Sequence, residues 1–121
     1  MAKILMNHHV LAVPDKAAAA RFYCDLLGFH RYHEDEGWIF VVREDCLVML
    51  GECPDAIPPK DLGDHSYFAY FLVDDASGYF AELKSRGAEF SSPLADKPWK
   101  MREFGVRSPD GYRIMVGQRI P

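Results

Sequence analysis

One order of elements, a strand, a helix and three strands, runs twice through this 121-residue sequence. Val13 and Val73 end equivalent first strands 60 positions apart, and Gly28 and Gly87 stop equivalent helices 59 apart. A period near 60 residues that covers the chain means two copies of one supersecondary unit. The expected fold is therefore α+β, built from two tandem βαβββ modules. Module one takes residues 1–51 and module two residues 67–121. The acidic segment 52–66, with Pro54, Pro58 and Pro59, is the linker inside a single domain spanning 1–121.

The local signals place the elements. Residues 4–13 read as a strand closed by Pro14, which has no N–H to give a ladder. Asp15 stands where an N-cap belongs, before an alanine-rich helix over 16–27 that Gly28 stops. Strands follow over 29–33, 38–43 and 46–50, with Gly37 and the pair Glu44-Asp45 at the reversals. In the second half, 67–73 is a strand, Asp74-Asp75 caps a helix over 76–86, and Gly87 stops it. Strands over 88–90, 101–107 and 112–118 complete the copy, with Pro109-Asp110-Gly111 turning the last pair.

Composition removes several functions. Fourteen Lys and Arg against 18 Asp and Glu leave no basic footprint for nucleic acid. No window approaches the roughly 18 consecutive apolar residues of a membrane span, and the opening residues lack the layout of a secretory signal. Cys24, Cys46 and Cys53 are odd in number and share no ligand spacing with histidine, so they read as reduced thiols of a cytoplasmic chain. No Ser-His-Asp arrangement, phosphate-cradling glycine loop or spaced carboxylate pair is present.

The motifs carry a resemblance. The opening strand His8-His9-Val10-Leu11-Ala12-Val13-Pro14-Asp15, the helix end Phe22-Tyr23-Cys24-Asp25-Leu26-Leu27-Gly28-Phe29, and Val73-Asp74-Asp75 resemble the FYxDxLGF and VDD signatures of the glyoxalase/bleomycin-resistance/extradiol-dioxygenase superfamily. Ser108-Pro109-Asp110-Gly111 fits its DPDG hairpin, with serine in place of the usual acid. The resemblance implies the vicinal oxygen chelate fold, whose mixed sheets curl into cups around a cavity, and dimerisation that completes the cups. A homodimer is expected. Metal-dependent members hold an ion with His, His and Glu; position by position, these ligands fall on His8, Phe68 and Met115. Phenylalanine cannot ligate and a thioether suits these ions poorly, so His8 is the only ligand position retained and no metal cofactor is expected. His65 and Glu103 are the substitutes that a register error would allow.

A narrower resemblance joins Pro98-Trp99-Lys100-Met101-Arg102-Glu103-Phe104 to the PWGxREF segment of the bleomycin-resistance group. Those metal-free members sequester a cationic antibiotic without altering it. Lys100 stands where that group carries glycine. Alternation along strands puts Trp38 with Phe40, and Met101 with Glu103, on cavity faces, leaving Phe104 and Val106 under the helices. The resulting ligand-binding candidates are Trp38, Phe40, Phe68, Trp99, Met101, Glu103 and Met115, with Asp35 or Glu36 as rim acids. An aromatic stripe on a strand is more often core than ligand site, and Trp99 in its loop escapes that reading best. The expected function is sequestration of a cationic or planar aromatic small molecule, a bleomycin-type antibiotic among them. The alternative is a metal-dependent lyase, dioxygenase or thiol transferase using a displaced ligand set.

Overall fold

The computed structural model describes residues 3, 5–62 and 66–121, so Ile4 and His65 of the readings above lie outside the described residues. The chain divides into two compact units, 1–58 and 59–121. The first contains β1 (His8–Val13), α1 (Lys16–Arg21), β2 (His30–Glu34), β3 (Trp38–Arg43) and β4 (Cys46–Glu52). The second contains β5 (Tyr67–Leu72), α2 (Ala76–Ser85), β6 (Glu89–Lys97), β7 (Met101–Arg107) and β8 (Arg113–Arg119). Each unit is a four-stranded mixed sheet, ordered β1-β4-β3-β2 and β5-β8-β7-β6, with the first strand parallel to the last and the others antiparallel. This is the βαβββ unit twice, in open sheets. No helix among the described residues is long and apolar enough to cross a membrane.

Period-two alternation decides what each sheet buries. In the first unit Leu11, Val13, Ile39, Val41, Val48 and Leu50 are buried on the face that α1 covers, together with Ala19, Ala20 and Leu27. The opposite face carries His8, Val10, Trp38, Phe40 and Met49. In the second unit Phe104, Val106, Ile114 and Val116 are fully buried, and the Phe104 ring packs against Tyr79 and Phe80 of α2. The other face carries Tyr70, Met101, Glu103, Met115 and Gly117.

The repeat extends to its capping chemistry. Asp15 accepts from the backbone N–H groups of Ala17 and Ala18, and Asp75 accepts from Gly78. A residue at the end of each unit's β4 or β8 then takes the first N–H of the helix. Glu52 accepts from Lys16 at 3.0 Å, and Gln118 from Ala76 at 2.9 Å. The segments Val48-Met49-Leu50-Gly51-Glu52 and Ile114-Met115-Val116-Gly117-Gln118 correspond, 66 residues apart.

Two elements differ from the sequence reading. The first helix does not run regularly to Leu27: after Arg21 it widens into a π-helical turn, Phe22–Leu26, closed by the Leu27 N–H donating to the Phe22 carbonyl. The wider turn brings Phe22, Tyr23 and Phe29 edge to face, with ring centroids 5.0 and 5.6 Å apart. The strand expected over 88–90 is β6, nine residues long. Pro93 falls inside it, but β6 is an edge strand, where a proline costs no ladder bond, and two register shifts absorb the irregularity.

Candidate functional site

The β6–β7 hairpin builds the site. Lys97 pairs with Met101, leaving Pro98-Trp99-Lys100 as a three-residue loop closed by the Lys100 N–H donating to the Lys97 carbonyl at 3.1 Å. Such loops end in a left-handed residue, and Lys100 adopts φ +66°. Trp99 is thereby lifted out of the sheet and stays 61% exposed. Its indole N–H donates to Glu103 Oε2 at 3.2 Å.

Glu103 is only 7% exposed, and the same carboxylate oxygen accepts the Tyr70 hydroxyl at 2.7 Å. Tyr70 comes from β5 and Glu103 from β7, so the pair meets across β8. It can do so because Gly117 lies opposite Glu103 and has no side chain; a Cβ there would run into the Tyr70 hydroxyl. Burial, then the hydrogen bond and charge of Glu103, push the Tyr70 pKa up to about 12, against the opposing charge of Arg119. The result is a fixed chain, Tyr70–Glu103–Trp99, that ends in an exposed aromatic surface.

The structure brings four of the expected residues to this face: Trp99, Met101, Glu103 and Met115. Met115 is paired with Tyr70 and Gly105, and Met101 with Lys97 and Arg119. Phe68 goes elsewhere. The β5 register shifts between Tyr67 and Ala69, which makes Phe68 the extra residue, and its ring packs edge-on to Phe71 and Tyr112 at 6.4 and 5.7 Å. Trp38 and Phe40 share a face of the first unit as expected, with rings edge to face at 6.1 Å. Trp38 lies against the bare backbone of Gly51, and the His33 ring sits tilted at 48° to that of Phe40, with centroids 4.9 Å apart.

Asp35 is a turn residue and not a free rim acid. One oxygen accepts from the Gly37 and Trp38 N–H groups, and the other meets His33 Nε2 at 2.8 Å. The hydrogen bond from His33, then that from Gly37, hold its carboxyl below the usual range. Burial pushes the Cys24 and Cys46 thiols up, away from thiolate reactivity.

The donor set does not fit a metal ion. His8 is exposed on β1, the other two family positions are Phe68 and Met115, and Glu103 is engaged by Tyr70 and Trp99. Among the described residues no three His, Cys, Asp or Glu side chains gather. Of the two proposed substitutes, Glu103 is the residue so engaged and His65 lies outside the described residues.

Tyr70 and Gly117 are the site residues that the sequence reading missed. The signal was present: the Met-x-Gly triplet at 49–51 recurs at 115–117, which marks two places where a neighbouring ring crosses the sheet over a bare backbone.

The profile of the glyoxalase/bleomycin resistance protein/dioxygenase superfamily matches residues 5–116. The chain belongs to this superfamily. It is 26% identical, over 130 aligned positions, to the bleomycin resistance protein of Geobacillus stearothermophilus, covering 97% of this chain and 98% of that one. Its fold is similar to TnmS3, an antibiotic binding protein from Streptomyces sp. CB03234, with a TM-score of 0.80, 25% identity and 98% of each chain covered. A bleomycin-binding protein from Streptomyces verticillus, solved with copper(II)-bleomycin, is similar at a TM-score of 0.74 and 25% identity, covering 96% of this chain and 97% of that one.

Proposed function

We propose that this superfamily member is a small-molecule binding protein that sequesters a compound with a planar aromatic group, and that a bleomycin-type antibiotic is the first to test. The observation that carries the proposal is Trp99, an indole 61% exposed yet tied at its N–H to the buried Glu103. An exposed ring held in one orientation is a stacking surface whose ordering cost is already met before a ligand arrives. Relatives spanning nearly its whole length are named for bleomycin resistance, which supports the ligand class. One ring contact contributes about 0.5–1.5 kcal/mol, whereas micromolar binding needs about 8 kcal/mol. Tyr70, Met101 and Met115 on the same face therefore act with Trp99, and Trp38 with Phe40 is the corresponding patch of the first unit.

The same reading makes the protein a homodimer. Val10 is 62% and Leu72 50% exposed in this chain, and a second copy would cover such apolar strand surface. Sedimentation equilibrium tests it, with twice the chain mass expected and a concentration-independent monomer counting against it.

The ligand test is tryptophan fluorescence during titration with metal-free bleomycin. Trp38 and Trp99 are the two indoles of the sequence, so Trp38→Phe leaves Trp99 as the sole reporter. Saturable quenching in this variant, lost in Trp99→Ala, is the expected result. No response up to high micromolar drug removes bleomycin from the reading.

A further inference from the structure

The charges around Trp99 specify the ligand more narrowly. Lys97, Met101 and Arg119 form one cross-strand row, so the two cations flank Met101 on the face that carries Glu103. Two strand spacings separate their backbones by about 10 Å, within reach of one small group for two long side chains. Lys97 Nζ stands 5.9 Å from the centre of the Trp99 ring. Arg119 is near enough to Tyr70 for its charge to act on that hydroxyl. Among the described residues neither cation has a carboxylate ion pair.

The acids nearby form no ion pair with them, although the charge of Glu103 stays on this face. Glu103 is buried and accepts from both Tyr70 and Trp99. Asp96, next to Lys97 and so on the opposite face, is held by Arg102 at 2.7 Å. Asp74 lines an open cleft of about 340 Å³ with Leu72, Val73, Gln118 and Arg119, one acid beside one of the two cations, and it forms no ion pair with Arg119. Lys100 adds a third positive charge in the exposed loop.

We propose that the Trp99 face binds a planar aromatic ligand bearing an acidic group, a carboxylate, sulfonate or phenolate, with its ring on Trp99 and its anion above Met101 between Lys97 and Arg119. This rests on Trp99 being the ligand platform, and it departs from the cationic ligand that the sequence resemblance implies. Glu103 is then a positioning residue for the indole, not the countercharge of a cationic ligand.

The test compares three probes of one shape, 2-naphthoate, 2-naphthylmethanol and 2-naphthylmethylammonium, by calorimetric titration of the full chain. Naphthoate binds tightest and the ammonium weakest, the two differing about tenfold, which is the worth of one charge-assisted contact. The double substitution of half-buried Lys97→Gln and exposed Arg119→Gln removes the difference, and added salt narrows it. Trp99→Ala weakens all three alike. An ammonium probe that binds as tightly as naphthoate, in a manner Trp99→Ala abolishes, overturns the charge class and leaves the platform standing. Affinities unmoved by Trp99→Ala overturn the platform itself, and failure of every probe to bind at millimolar concentration overturns both.

Discussion

Lys100 occupies φ +66°, a backbone region that costs an L-residue about 1–2 kcal/mol and glycine nothing. The bleomycin-resistance segment that it resembles carries glycine there, and the hairpin geometry now supplies the reason. Lys100→Gly is therefore expected to stabilise the protein by about 1 kcal/mol, seen as a raised urea midpoint with an unchanged slope. Lys100→Ala keeps the strain and should gain nothing; equal gains from both would show that the lysine side chain, not the backbone, is the liability. Tyr70 makes a second residue-scale prediction. Its folded pKa of about 12 lies above the ordinary value near 10, so its contribution to stability is complete below pH 10 and is lost as pH rises towards 12. In a tyrosinate absorbance titration, Tyr70→Phe should delete one component near pH 12, and Glu103→Gln should move it to lower pH. Gly117→Ala forces the Tyr70 ring off Glu103 and is expected to destabilise by about 1–3 kcal/mol while giving the same early titration.

Each helix begins on two side-chain acceptors, one local and one from the far end of its own sheet. Asp75 and Gln118 satisfy different N–H groups of α2, so Asp75→Ala should cost about 1 kcal/mol and the loss should add to that of Gln118→Leu. Thermal unfolding of the two single variants and the double checks this, and strong non-additivity would mean that the two caps share one donor. Asp15 and Asp75 were legible in the sequence as caps because an N-cap depends only on neighbouring residues. Glu52 and Gln118 were not, since their partners lie 36 and 42 residues away. The same distinction explains β6: its edge position, which makes Pro93 harmless, follows from the sheet order and not from the residues nearby. The π-helical turn at Phe22–Leu26 was hidden because its apolar pattern is close to that of a regular helix.

At the scale of the molecule, the 60-residue period was enough to predict two βαβββ units, because it is a property of pattern and not of any single contact. The site was legible only where family positions ran through it, at Trp99, Met101, Glu103 and Met115. Tyr70 and Gly117 belong to it through a crossing of three strands, and Phe68 left it through a bulge that alternation counting could not see. The consequence for chemistry can be tested directly. A divalent ion needs three or more converging donors, and the family positions offer exposed His8, bulged Phe68 and the thioether of Met115. The protein equilibrated with Zn²⁺, Mn²⁺ or Ni²⁺ and then desalted should carry substoichiometric metal, and His8→Ala should leave that content unchanged. Metal bound one per chain and lost in His8→Ala would mean that a displaced donor set closes around His8, and would raise the alternative, a metal-dependent enzyme of the superfamily, above the binding-protein reading.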